Sequence, residues 1–158
     1  MKQIKELISI ERKEIEKIQS RTEVVKSLAI QAIFSIRENF DQSRARNENL
    51  VEGFLRACDV DSHIPTPIVF LDRDAYVQYT HESKKIFSEV KQTALTAINM
   101  QTTIDNGLLI HVKRDISDVK RIFQAYLEFE INNISKHLNS IYNLQKKVVP
   151  EKIEKISA

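Results

Sequence analysis

The chain is poor in the residues that break or staple a fold. Of its 158 residues only two are glycine (Gly53, Gly107) and three proline (Pro65, Pro67, Pro150). Folds made of many strands and tight turns need more of both, so long uninterrupted helices are expected instead. Tryptophan is absent and the sulfur residues are few, which leaves Ile, Leu, Val, Ala and Phe to form the core. The single cysteine, Cys58, cannot form an internal disulfide, and no Cys/His spacing of the zinc-binding kind occurs. A reducing compartment, the cytoplasm, is the expected location.

Long apolar runs are missing too. The most apolar window, Val24 to Phe40, is interrupted by Lys26, Gln31 and Arg37, and falls short of the roughly 20 residues that span a bilayer. The opening MKQIKELISIERKEIEKI alternates charge with Ile and Leu at helical spacing, where a signal peptide would carry an unbroken apolar stretch. Neither a membrane span nor an export signal is expected. Charge of one sign is also lacking: 24 Lys and Arg stand against 22 Asp and Glu, for a net charge of +2. Such a balance does not demand a polyanionic partner.

What remains is a chain with 42% hydrophobic and 29% charged residues, which is the composition of a folded domain. Its length suits one compact domain. The pattern predicts a single helical domain over 1–149, with helical sections at about 2–58 and 83–148, a connector at 59–82 and a tail at 150–158.

In the first section Ile4, Ile8, Ile15, Ile18, Thr22, Val25, Ala29, Ala32 and Ile36 recur at spacings of three and four. This is a heptad-like stripe interrupted by Glu11. From Val24 onward Leu28, Ile30, Ile33 and Phe34 widen it, and a helix apolar on several sides is expected to be covered on several sides. The polar stretch DQSRARNEN (41–49) is either a solvated part of one long helix or a loop before a short helix at 50–58. Unbroken, a helix over 2–58 would extend roughly 85 Å.

Pro65 and Pro67 mark the clearest boundary. After them IVFLDRDAYVQYT (68–80) reads either as a small hairpin turning at Asp72, Arg73 and Asp74, or as a helix started by Thr66 and Pro67. The acidic residues Asp59, Asp61, Asp72, Asp74 and Glu82 gather along this connector, as caps and turn formers do. A further stripe runs through Ile86, Val90, Ala94, Ala97 and Gln101, with Asp105, Asn106 and Gly107 as C-cap and turn. The longest predicted helix then carries Leu108, Val112, Ile116, Val119, Phe123 and Tyr126, continuing through Ile134, Leu138, Ile141 and Val148. A strand over 108–112 is the alternative for its start, and Pro150 ends it.

Chemistry leaves little trace. The residues three before His63, His81, His111 and His137 are Val60, Gln78, Leu108 and Ile134, so the Glu-x-x-His pairs of carboxylate-bridged metal bundles are absent. His81 and Glu82 begin a metalloprotease motif that Lys85 ends. Asp59, Asp61 and His63 alternate like a calcium loop, but Ile64 stands at its glycine and Phe70 at its closing glutamate. The glycines lie too far apart for a phosphate loop, and Cys58 has no local activating feature, as befits a half-buried structural thiol. No catalytic, cofactor-binding or metal-ligating residue is expected.

Lys113, Arg114, Lys120 and Arg121 lie a heptad apart and form one basic face, interleaved with Asp115 and Asp118. Such a face could contact phosphates weakly. The fold expected is therefore all-α, a bundle of long antiparallel helices with a coiled-coil-like N-terminal helix, the alternative being α+β with a small hairpin at 68–80. The function expected is that of a non-enzymatic interaction protein: an adaptor, regulator or assembly subunit forming a homo-oligomer. Its seam would be Val25, Leu28, Ala29, Ala32, Ile33 and Ile36, where small alanines admit a second helix. The alternatives are a nucleic-acid-associated regulator using the basic face, and a small-ligand sensor with a pocket near Asp59 to Thr80.

Overall fold

The computed structural model of the chain describes residues 2–38, 44–58, 69–70, 72–102, 108–146 and 156–157. The fold is an all-α bundle. Helix α1 runs Lys2–Glu38, α2 Arg44–Cys58, α3 Arg73–Phe87, α4 Thr93–Gln101 and α5 Ile110–Lys146, with a π-helical turn at Ser88–Gln92 joining α3 to α4. Strands β1 (Val69–Phe70) and β2 (Ile156–Ser157) form one short antiparallel ladder, Val69 opposite Ser157 and Phe70 opposite Ile156. The C-terminal segment expected as a loose tail thus has two residues paired.

The hairpin expected as an alternative at 68–80 is not formed. Asp72, Arg73 and Asp74, which would have been its turn, begin α3 instead. The carboxylate of Asp72 accepts the Ala75 backbone N–H at 2.8 Å, and Asp74 adds negative charge in the first turn, where the helix dipole favours it. Ala75, Tyr79 and Ser83 are then buried at four-residue spacing, which only a helix can present to one side. Thr66 and Pro67, the alternative cap, lie outside the described residues, as do Asp105, Asn106, Gly107, Val148 and Pro150.

The described residues group into two compact units. Unit 1 comprises Met1–Ser20, Ile64–Val90 and Glu130–Ala158; unit 2 comprises Arg21–His63 and Lys91–Phe129. In unit 1, Ile15, Ile18, Ala75, Tyr79, Ile134, Leu138, Ile141 and Tyr142 form the core, with Ile8, Tyr76, Ile86, Phe87 and Val90 packed at its edge. In unit 2 the buried apolar residues are Val25, Ala29, Ile33 and Ile36 from α1, Phe54 and Cys58 from α2, Ala94 and Ile98 from α4, and Val112, Ile116, Val119, Phe123, Tyr126 and Leu127 from α5. Burying each large apolar side chain favours the fold by about 1.5–3 kcal/mol. The rings of Phe123 and Tyr126 stack with centroids 6.4 Å apart.

Three stripe expectations change. On α1 the buried series runs 15, 18, 22, 25, 29, 33, 36, so Ile33 takes the place of Ala32. An α-helix of 3.6 residues per turn drifts from a strict heptad, and the double step of four absorbs the drift. On α4, Ala94 and Ile98 are buried, not Ala97 and Gln101, because the π turn just before them has i→i+5 bonds and rotates the helix beyond it. Third, Val24, Leu28 and Phe34 do not have the expected cover, since Val24 and Phe34 are more than half exposed and Leu28 is 38% exposed.

Helix α2 begins at Arg44, so the later part of DQSRARNEN is helical and 41–43 lie outside the described residues. The start of α5 at Ile110 replaces the alternative strand at 108–112.

Candidate functional site

Unit 1 ties its helices with polar pairs. Glu11, the residue that interrupts the apolar stripe, meets the Nδ1 of His137 on α5. The adjacent Arg12 pairs with Glu82 on α3 and lies over the Tyr142 ring, 6.0 Å from its centroid. A cavity of about 430 Å³ lies beside this group, with His81, Glu82, Lys85 and Glu89 along one wall and Tyr142 on the other. It borders the described end of the 59–80 connector at Gln78, the region where a pocket is expected from the sequence.

Unit 2 carries open apolar grooves. One of about 310 Å³ runs between α1 and α2, lined by Leu28, Gln31, Ala32, Ser35, Asn49, Leu50, Gly53, Phe54 and Ala57. Ala32, Gly53 and Ala57 contribute little or no side chain to it, which leaves the space open. A Cβ built on Gly53 meets nothing within 4 Å, so the glycine is not required by packing inside the chain. A second groove of about 410 Å³, on Val51, Leu55, Ile122 and Ala125, lies between α2 and α5. Leu55 is about half exposed there.

The expected seam residues therefore divide. Val25, Ala29, Ile33 and Ile36 are buried within unit 2, whereas Leu28 and Ala32 face the α1–α2 groove. The periodicity of α1 could not separate the two sets, since both follow the same spacing.

The four basic residues on α5 are partly engaged. Arg114 Nη2 lies 3.6 Å from both Glu48 Oε1 and Asp115 Oδ1, and Arg121 pairs with Asp118 one turn before it. Lys113 and Lys120 are half-buried.

One feature of unit 2 has no forerunner in the composition. Asn47, within the stretch that looks solvated, is 0% exposed, and neither its Oδ1 nor its Nδ2 has a hydrogen-bond partner. The same is true of His111 Nε2 and Asp115 Oδ2, and Asp115 is 1% exposed. Asn47 stands in the first turn of α2, and His111 and Asp115 in the first two turns of α5. Arg114 of α5 approaches Glu48 of α2, next to Asn47, at 3.6 Å. Among the described residues no three His, Cys, Asp or Glu side chains come together to hold a metal ion.

Burial raises the Cys58 thiol from 9.0 to about 11, which opposes the thiolate and hence nucleophilic chemistry. No described helix is long and apolar enough to cross a membrane. Comparison with protein-family models, with curated proteins and with solved structures finds no match to this chain.

Proposed function

We propose that the chain is a non-enzymatic helical interaction protein of the cytoplasm that self-associates, with a helix of a second copy lying in the α1–α2 groove. The observation that carries this reading is the groove itself: exposed Leu28 beside Ala32, Gly53 and Ala57, with open space where a Gly53 side chain would stand. Small residues let a second backbone approach closely, and apolar side chains kept in water gain free energy when covered. Val24, one turn before Leu28 and more than half exposed, extends the same face.

Phosphate contact by Lys113, Arg114, Lys120 and Arg121 is the alternative. It is less favoured, because Arg114 and Arg121 would exchange carboxylate partners already in place for phosphate.

Light scattering coupled to size-exclusion chromatography tests the proposal. The intact chain is expected to show a mass above that of one protomer. Leu28→Glu and Ala57→Glu, both at exposed positions of the groove, should reduce it to one protomer while changing stability by no more than about 0.5 kcal/mol. A single-protomer mass for the unmodified chain at micromolar concentration would overturn the reading.

A further inference from the structure

We infer that the helix received by the α1–α2 groove is α1 of the second copy, running antiparallel, so that the chain forms a twofold dimer along one exposed stripe of this helix. The inference rests on the self-association reading and names the element that makes the contact. Leu7 and Ile10 stand near one end of the stripe and Val24 and Leu28 near the other, with Glu14, Lys17 and Arg21 between them, all at alternating steps of three and four. This stripe is not the buried one. From Glu14 onward each of its members precedes a buried residue of the series 15, 18, 22, 25, 29 by one position, about 100° round the helix. Leu7, Ile10, Val24 and Leu28 are accordingly 41%, 55%, 59% and 38% exposed. Large apolar side chains aligned on one helix and left to water gain free energy when a partner covers them.

The order of charges identifies the partner. Read along α1 the stripe is apolar, acidic, basic, apolar, a pattern that complements its own reverse. Laid antiparallel, α1 of one copy brings Leu7 and Ile10 over Val24 and Leu28 of the other and Glu14 over Lys17 and Arg21, and the twofold axis repeats every contact. Laid parallel, it would set Glu14 on Glu14, Lys17 on Lys17 and Arg21 on Arg21, which like charges disfavour. Glu14 already holds Lys17 of its own helix at 3.0 Å, and a carboxylate has acceptor sites for a further partner. An unrelated helix would need this same order of residues; a second copy carries it by identity. Leu28 both ends the stripe and lines the α1–α2 groove, so the first turns of the other copy's α1 enter the groove beside Ala32 and Gly53, where small residues leave room. The apolar ends supply affinity, and the charges between them set the direction.

The test uses the full chain, with mass followed by light scattering coupled to size-exclusion chromatography over a dilution series and helix content by far-UV circular dichroism. The unmodified chain is expected at twice the protomer mass. Glu14→Lys makes the middle of the seam wholly basic, and Lys17→Glu with Arg21→Glu makes it wholly acidic. Each should raise the dissociation constant by at least about tenfold, with helix content unchanged. All three substitutions together exchange acid for base along the seam and should bring the dimer back, a recovery that a misfolded variant could not show. In a parallel seam every charge meets its own kind in all four proteins, so neither loss nor recovery would be seen, and that result would overturn the assignment. A triple variant that fails to recover what Glu14→Lys loses would overturn it too. A single-protomer mass for the unmodified chain would overturn self-association and this seam together, whereas a mass of three protomers or more would overturn the twofold seam alone. Loss of the dimer in Leu28→Glu but not in Leu7→Glu or Ile10→Glu would keep the groove as the interface and remove α1 as its occupant.

Discussion

In unit 1 polar side chains that reach between helices find each other, Glu11 meeting His137 and Arg12 meeting Glu82 and the Tyr142 ring, and within α5 Asn133 donates to the buried Glu130 at 3.0 Å. In unit 2 both polar atoms of Asn47, His111 Nε2 and Asp115 Oδ2 have no partner; exposed apolar side chains do not separate the units, since Leu7, Ile10 and Val77 of unit 1 are as open to water as Leu28 and Leu55 of unit 2. An unsatisfied buried polar atom costs about 1–3 kcal/mol, while a satisfied pair is roughly neutral to favourable. Unit 1 is organised to hold its own fold. Unit 2 keeps groups that its own stability would remove, and such departures from local consistency are where binding is to be sought.

The largest effect that tests this comparison lies in the cores, which should not differ. Phe123→Ala in unit 2 and Leu138→Ala in unit 1 each remove a side chain that is 0% exposed. Losses of about 3–5 and 2–5 kcal/mol are expected from urea unfolding. A loss under about 1 kcal/mol for Phe123→Ala would mean that the core of unit 2 is not closed, and its unpaired atoms would then be hydrated.

Replacing Asn47 sharpens the contrast directly. Asn47→Leu exchanges an unpartnered buried carboxamide for an apolar group of similar size, so a gain of about 1–3 kcal/mol is expected. The equivalent change in unit 1, Glu11→Leu, leaves His137 without its partner and should destabilise. Thermal melts of the two variants read both signs. If Asn47→Leu also destabilises, the carboxamide has a partner in solution and the two units do not differ in kind.

Much of the fold was legible from spacing. The apolar series of α5 is buried as its periodicity requires, from Val112 to Tyr126 and again at Ile134, Leu138 and Ile141. The segment 68–80 was open between a hairpin turning at Asp72, Arg73 and Asp74 and a helix started by Thr66 and Pro67; the helix that forms is capped by Asp72 instead, and burial of Ala75 and Tyr79 at helical spacing decides it. Glu11 looked like a flaw in the stripe because its partner, His137, lies 126 residues away. Asn47 was hidden in a polar run, where composition points to solvent and carries no signal of which single residue turns inward. His111 and Asp115 stand four apart in HVKRD, among charged residues, and nothing in that spacing marks Asp115 as the one carboxylate there that is buried. The groove could not be foreseen, since it depends on which side of α1 the second helix covers.

A smaller effect concerns Cys58, buried at the end of α2. Its pKa in the folded chain is raised from 9.0 to about 11 by burial. A thiol is neutral when protonated, so the folded state holds this proton more tightly than the unfolded chain does. The resulting stabilisation is full below about 9 and is lost as pH rises from 9 towards 11. Unfolding free energies of the unmodified chain and of Cys58→Ala, compared across that window, should converge as pH rises. A constant difference would show that the thiol titrates normally and is less enclosed than unit 2 makes it.

The smallest effect bears most directly on what unit 2 is for. Gly53 lies inside α2, where glycine costs a helix roughly 0.5–1 kcal/mol relative to alanine, and a Cβ there touches nothing within 4 Å of its own chain. Gly53→Ala should therefore raise the stability of the isolated protomer by about that amount, through a less free unfolded chain and a better helix. Assembly should respond in the opposite sense if a second backbone lies close against the glycine: the added methyl, and more so the side chain of Gly53→Leu, would hold the partner off. Thermal stability measured at concentrations low enough to keep protomers apart, set beside mass by light scattering at higher concentration, separates the two effects. Raised stability with a lowered mass fits a groove whose floor is kept bare for a partner. Raised stability with an unchanged mass would place the interface elsewhere, and the exposed face of Val51 and Leu55, on the other side of α2, would be the next to carry a charge.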